Sequence, residues 1–333
     1  MKKKEPMKIS FTTAIMIVLI VVLLIAGLAY FIFINKNNGD VANTNIQNTV
    51  ATNTNSVTAQ VSEKLTMTEE EFPKVDGATA MLPMVGEITK SVLGYTDEQA
   101  QKYLKENTQG KSAKVYASLI NKEKDLIFVS EPSDDILRQA KDANIEFDMT
   151  GIGKDGFVFI VNKDNPVSSL IIEQLQKIYT GEITNWSQVG GNNEEIIAYQ
   201  REQNSGSQNL MEKMVMKGTK MKTAPSGLAI ASMEGLIDSV AKEYDNSKAS
   251  IGYSIYLYAK EQYVKDNIKF LSIDGVYPSD ETIANGTYPL AKIVYAVTRK
   301  DVPQDSNVRK LIKWLLTDEG QKVVVSGGYS KLK

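Results

Sequence analysis

The residues best suited to chemistry stand in one run, Tyr199-Gln200-Arg201-Glu202-Gln203-Asn204-Ser205-Gly206-Ser207-Gln208. It places a guanidinium and a Ser-Gly-Ser cluster at the start of a helix. That helix continues through Asn209-Leu210-Met211-Glu212-Lys213-Met214-Val215, where apolar residues fall at helical spacing. A helix start presents unpaired backbone N–H groups and the positive end of the peptide dipoles, and Gly206 lets a ligand come close to that backbone. Arg201 offers five donors in a planar fork and keeps its charge at physiological pH, so it can hold two oxygens of an oxyanion. The hydroxyls of Ser205 and Ser207 can donate to the same anion. Taken alone, the cluster equally fits a capped surface helix with Arg201 paired to Glu202.

Composition removes most other chemistry. Among 333 residues there is no His and no Cys, which excludes disulfides, thiol nucleophiles, lipid-bearing cysteines, His-ligated metals and a Ser-His-Asp triad. No Gly-x-x-x-x-Gly-Lys-Ser/Thr loop is present, and the run Gly151-Ile-Gly-Lys-Asp-Gly156 leads into the expected strand Phe157–Val161 and not into a helix, as a dinucleotide fingerprint would. The formal net charge of −2 argues against nucleic acid as a partner. Asp245, Asn246 and Ser247 form an oxygen-rich cluster that reads as a turn, so no metal is assigned, and no cofactor. Without His, Ser205 and Ser207 lack the usual general base, and hydrolase chemistry would need a Lys or a carboxylate in that role.

From Phe11 to Ile34 the chain carries no charge, and about 24 residues at about 1.5 Å each reach about 36 Å, enough to cross a bilayer core with some tilt. Lys2, Lys3, Lys4 and Lys8 precede it against the single Glu5, so residues 1–10 are expected in the cytoplasm and everything after Asn35 outside. A cleaved signal peptide is the alternative, though its apolar stretch is usually shorter. Residues 35–66, rich in Asn, Thr, Ser, Val and Gln without period, read as a flexible tether.

Residues 67–333 alternate short β-rich runs with helical patterns, the signature of an α/β fold. Strands are expected at Leu126–Val129, Phe157–Val161, Ile196–Tyr199 and Leu290–Val297. Helices are expected at Ala80–Leu93, Ser133–Asn144, Ile171–Tyr179 and Gly227–Tyr244, with two more in Val308–Val325. Open α/β sheets place ligands beyond the carboxyl ends of strands. Three such junctions here carry polar residues: Val75-Asp76-Gly77-Ala78-Thr79-Ala80-Met81, Phe128-Val129-Ser130-Glu131-Pro132-Ser133 and Arg201 to Ser207.

Three motifs in order, Asp76-Gly-Ala-Thr-Ala-Met-Leu-Pro83, Ile178-Tyr-Thr-Gly-Glu-Ile-Thr-Asn-Trp186 and Arg201-Glu-Gln-Asn-Ser-Gly-Ser207, resemble the phosphate-binding proteins of ABC importers. These belong to the type 2 periplasmic-binding-protein superfamily. The resemblance runs from about Phe72 to the C-terminus. It implies a two-lobed clamp, lobe one being about residues 67–156 and 290–333 and lobe two about 157–289, that holds inorganic phosphate as a monomer and delivers it to ABC permease subunits. An extracellular phosphate-sensing or adhesion module using the same clamp is the alternative.

Carried over by residue, Thr79 and the N–H of Ala80 would bind phosphate from lobe one, and Arg201, Ser205, Gly206 and Ser207 from lobe two. Ser112 stands at a second hydroxyl-bearing loop. Where the family has an Asp after its second core strand this chain has Glu131, expected to accept the proton of hydrogen phosphate and so to disfavour sulfate, which carries none. The family's lipidated Cys is absent, and the membrane helix would replace it. Tyr179 and Trp186 read as packing residues, while Ile251-Gly252-Tyr253 fits either cleft backbone or a buried strand end.

Overall fold

The apolar strand runs Leu126–Val129 and Phe157–Val161, fully buried along their length, need cover on both faces, and the helices between strands supply it. The computed structural model describes residues 64–242 and 247–332, which fall within one unit, Val61–Lys333. The expected membrane span Phe11–Ile34, most of the tether and most of the Asp245–Ser247 turn lie outside the described residues. Among the described residues no helix is long and apolar enough to cross a membrane.

In chain order, β1 (Val75–Gly77) leads through a tight 3-10 turn, Thr79–Met81, into α1 (Leu82–Leu93). Pro83 sits in the first turn of α1, where a missing N–H costs nothing. Next come α2 (Asp97–Asn107), α3 (Ser112–Ile120), β2 (Leu126–Val129) and α4 (Asp134–Asp142). Ser133 caps α4, its Oγ accepting from the Ile136 N–H at 3.3 Å. The long β3 (Phe147–Asn162) then carries the chain into a second group of elements.

That group comprises β4 (Ser169–Leu170), α5 (Ile172–Thr180), β5 (Ile197–Ala198), β6 (Gln200–Arg201) and α6 (Gly206–Leu210), the last continuing as a wider π turn, Met211–Met216. It goes on with β7 (Ala229–Ile230), α7 (Met233–Ala241), β8 (Ser250–Ile255), β9 (Ile268–Phe270), β10 (Ser272–Ile273) and α8 (Asp280–Ala284). The return strand β11 (Ala291–Arg299) leads back to α9 (Asn307–Leu315) and α10 (Asp318–Ser326), which close the first group.

The main sheet runs β1-β2-β11-β3-β8-β5, with β9 also beside β3. β1 and β2 are parallel, as are β5 and β8, whereas β11 is antiparallel to both β2 and β3. The 16 residues of β3 serve two sets of partners. Phe147–Gly156 pair with β11, and Phe157–Asn162 pair with β8 and β9. The apolar interior divides at the same place. Phe157, Phe159, Tyr179, Trp186 and Tyr253 belong to one cluster, and Met84, Ile88, Phe128, Leu311 and Trp314 to another. The result is the mixed α/β, two-lobed architecture the sequence leads one to expect.

Two elements depart from expectation. The strand expected at Phe157 begins ten residues earlier, because Phe147–Gly156, despite Gly151, Gly153 and Gly156, is held by its ladder with β11. The helix expected from Gly227 starts only at Met233. Gly227 has a positive φ of 84°, Ala229–Ile230 pair with Gln200–Arg201, and Ser232 caps the helix through the Gly235 N–H at 3.0 Å.

Trp186 and Tyr179 are packing residues, both 1% exposed. The Trp186 indole N–H donates to the Ala249 carbonyl at 2.7 Å, so its one polar atom is satisfied. Trp186→Ala should therefore cost about 3–5 kcal/mol of stability, read as a lowered midpoint in denaturant unfolding of the full-length chain. An unchanged midpoint would show that this cluster does not hold the second lobe together.

Candidate functional site

Four chain segments that open helices, three of them on leaving a strand, meet around one cavity of about 340 Å³. From the first lobe come Ala78–Met81, after β1, and Gly110–Ala113, opening α3. From the second come Arg201–Ser207, between β6 and α6, and Ala231–Glu234, between β7 and α7. Ser130, Ile255 and Lys292 complete the wall. Neither the Thr79–Met81 turn nor α3 has a side-chain cap at its start, so their N-terminal dipoles face the cavity without a protein acceptor from that residue. Converging helix starts favour negative charge between them.

Arg201 is anchored from behind. Its Nε–H donates to the Ile230 carbonyl at 3.0 Å, Nη2 to the Ala231 carbonyl at 3.1 Å, and Nη1 to Ser207 Oγ at 3.0 Å. Its backbone N–H donates to the Tyr253 hydroxyl at 2.9 Å, and that hydroxyl donates to Gln208 Oε1. Three of the five guanidinium donors are thereby used on neutral acceptors, leaving two N–H groups for a ligand. Among the described residues Arg201 makes no ion pair with a carboxylate; the pairing with Glu202 that sequence left open is absent. Burial presses its pKa downward, opposed by Tyr253, Glu234 and Glu202.

Thr79, Ala80, Ser112, Arg201, Ser205, Gly206 and Ser207 all line this cavity. Thr79 spends both donors on one acceptor, its Oγ1 donating to the Gly110 carbonyl at 2.7 Å and its N–H to the same oxygen. Ser205 caps α6, accepting from the Gln208 N–H at 3.3 Å, and Ser207, which accepts from Arg201, keeps its own O–H for another acceptor. Gly206 has a second reason to be glycine. A Cβ there would lie 2.7 Å from Ser112 Oγ, so a side chain at this position would force the Ser112 hydroxyl to turn aside.

Glu131 is the exception, since it is not part of the cavity wall. Its carboxylate is half exposed, 3.8 Å from Lys213 Nζ and 3.3 Å from the Tyr295 hydroxyl. Its backbone carbonyl accepts from Asn209 Nδ2 at 2.7 Å, and Lys213 Nζ donates to the Pro132 carbonyl at 2.7 Å. The segment is thus held at the seam between the lobes, and the neighbouring Ser130 faces the cavity instead. The Glu131 carboxylate sits beside Lys213 and Tyr295 and not in the cavity wall.

Sequence reading passed over three charged wall residues, the exposed Lys111 and the two that bear on the site, Glu234 and Lys292. Glu234 is a half-buried carboxylate in the first turn of α7, hydrogen-bonded by the Tyr258 hydroxyl. Burial acts to raise its pKa, but Tyr258, the backbone, Ser232 and Arg201 outweigh that and hold it below the usual carboxylate range, so it is ionised at neutral pH. Lys292 is the lone charge in the apolar strand Leu290–Val297, and that interruption was its available signal. Tyr253, left open between two readings, is a fully buried strand residue whose hydroxyl nevertheless supports Arg201.

Comparison with known proteins agrees with this architecture. Residues 42–319 match the model of a PBP superfamily domain. The phosphate-binding protein PstS of Borreliella burgdorferi is 26% identical over 269 residues, covering 79% of this chain and 91% of that protein. PstS of Staphylococcus saprophyticus is 25% identical over 259 residues, 76% and 78% of the two chains. The crystal structure of an ABC-type phosphate transport receptor from Vibrio cholerae superposes with a TM-score of 0.57 at 24% identity, over 80% of this chain and 99% of that one; this likeness speaks to the fold. With the matched domain spanning most of its length, the chain belongs to the PBP superfamily.

Proposed function

We propose that this chain captures inorganic phosphate between its lobes and delivers it to the permease of an ABC-type importer, without chemistry of its own. The observation that carries the reading is the Arg201 guanidinium, fixed on the carbonyls of Ile230 and Ala231 and facing a cavity ringed by helix starts. Such a site offers charge and directional donors to an oxyanion and positions no nucleophile beside a base. The similarity to PstS proteins, named for phosphate binding, supports the same ligand.

In this proposal Arg201 and Ser207 grip the anion from lobe two, together with the Ser205–Gly206 turn, while the Ala80 N–H, Ser112 and Thr79, its hydroxyl turning from the Gly110 carbonyl to the ligand, meet it from lobe one. Glu234 takes the part of proton acceptor for hydrogen phosphate, and Glu131 ties the lobes together at the seam. The protein acts as an extracellular monomer held by a single membrane span, Phe11–Ile34, with the polar tether keeping it at high effective concentration near its transporter.

Arg201→Ala should weaken phosphate binding by about 2–5 kcal/mol, and Arg201→Lys, which keeps charge but loses the fork, should fall between. Calorimetric titration of the full-length chain checks both; wild-type affinity in Arg201→Ala would move the site elsewhere.

The two carboxylates separate in a second experiment. Glu234→Gln should narrow the preference for phosphate over sulfate, because an amide can donate to an unprotonated oxygen that a carboxylate repels. Glu131→Gln should leave the preference unchanged. The reverse pattern in competition titrations would return the acceptor role to Glu131.

A further inference from the structure

Asp155 on β3 and Lys292 on β11 stand directly opposite each other on the two strands shared by both lobes. Their side chains are 2% and 4% exposed. Buried charges of opposite sign ordinarily close into a hydrogen-bonded pair, because an unpaired one is costly. These do not close. Lys292 Nζ lies 3.9 Å from Asp155 Oδ2, beyond hydrogen-bond reach. Asp155 Oδ1 accepts from the N–H groups of Gly156 at 2.7 Å and Leu257 at 3.2 Å, while Oδ2 has no hydrogen-bond partner.

The ammonium is also poorly served on its other side. Its hydrogen bond is a long one, to Ser130 Oγ at 3.4 Å, against three N–H donors that want acceptors. Lys292 nevertheless forms part of the wall of the same cavity as Arg201. Lys111 lines that cavity too, but it is exposed and its charge is screened by water.

We propose that Lys292 is a second cationic ligand of the anion bound in the cleft, held in reserve by Asp155 and supplied from the crossing strands rather than from either lobe. The inference rests on the cleft being the phosphate site. A hydrogen phosphate dianion then meets two fixed positive charges, Arg201 from lobe two and Lys292 from the strands that join the lobes. Asp155 sits behind Lys292 as a competing acceptor, so it weakens the grip that Lys292 can exert on the ligand.

Calorimetry with inorganic phosphate on the full-length chain tests this with Lys292→Met, Asp155→Asn and the double variant, Met retaining the apolar stem. Lys292→Met should bind about 30-fold or more weakly. Asp155→Asn, which frees Lys292 for the ligand, should bind as tightly as the wild type or more tightly, and the double variant should be as weak as Lys292→Met. If the pair were only structural, Asp155→Asn would weaken binding as much as Lys292→Met and the double variant would recover, which would overturn the inference. Thermal unfolding without phosphate identifies a variant that fails to fold; should Lys292→Met fail, weakened binding by a folded Asp155→Asn overturns the inference, and equal or tighter binding supports it. Wild-type affinity in Lys292→Met refutes the role of Lys292 alone, whereas absence of phosphate binding by the wild type refutes the reading of the cleft and this inference with it.

Discussion

The antiparallel pairing of β3 with β11 is the constraint on which the rest of the molecule depends. One strand leaves the first lobe and the other returns to it, and their ladder runs from Phe147 against Arg299 to Gly156 against Ala291. Beyond Gly156, β3 changes partners and becomes part of the second core through β8 and β9. Because a strand alternates its side chains between faces, this shared ladder fixes the register of both cores at once. Through β2, which pairs with β11, it also sets the direction of β1 and β2.

From that arrangement the cleft follows with little further specification. Strands that end facing one another deliver helix starts to a common point, and helix starts carry unpaired N–H groups. The neutral dipoles need one firmly held charge to become selective for an anion. Arg201 supplies it, and its fixation uses the short ladder of β6 with β7, whose next carbonyls, on Ile230 and Ala231, accept from the guanidinium. An acidic chain can still attract an oxyanion in this way, because local dipoles and desolvated cations outweigh a weak, screened net field at short range.

Much of this was legible in the sequence, and for physical reasons. Arg201 through Ser207 announced itself because a guanidinium and a Ser-Gly-Ser helix start stand together, a combination more telling than the helix cap that Ser-Gly-Ser alone would suggest. Thr79 sat at a junction whose position a strand–helix alternation reveals, whereas Ser112, between two helices, came only from the family resemblance. What sequence could not show was side-chain direction. Glu131 follows its strand where an acceptor is expected, yet Lys213 and Tyr295, distant in the chain, pull it to the seam. Lys292 and Glu234 lie within segments that read as strand and helix, and only the folded arrangement turns them into the cavity. The Gly-rich half of β3 was likewise hidden, since its strand character comes from the β11 ladder and not from its own residues.

The central claim is that an oxyanion occupies the cavity with Arg201 as its principal ligand. A crystal structure of the chain grown with phosphate tests it most directly. The account predicts phosphate density within hydrogen-bond distance of the two remaining guanidinium N–H groups of Arg201 and of the Ser207 hydroxyl, enclosed by the helix starts at Ala80, Ser112 and Gly206. Phosphate seated elsewhere, or a cleft that stays without it while Arg201 turns to a carboxylate, would contradict it.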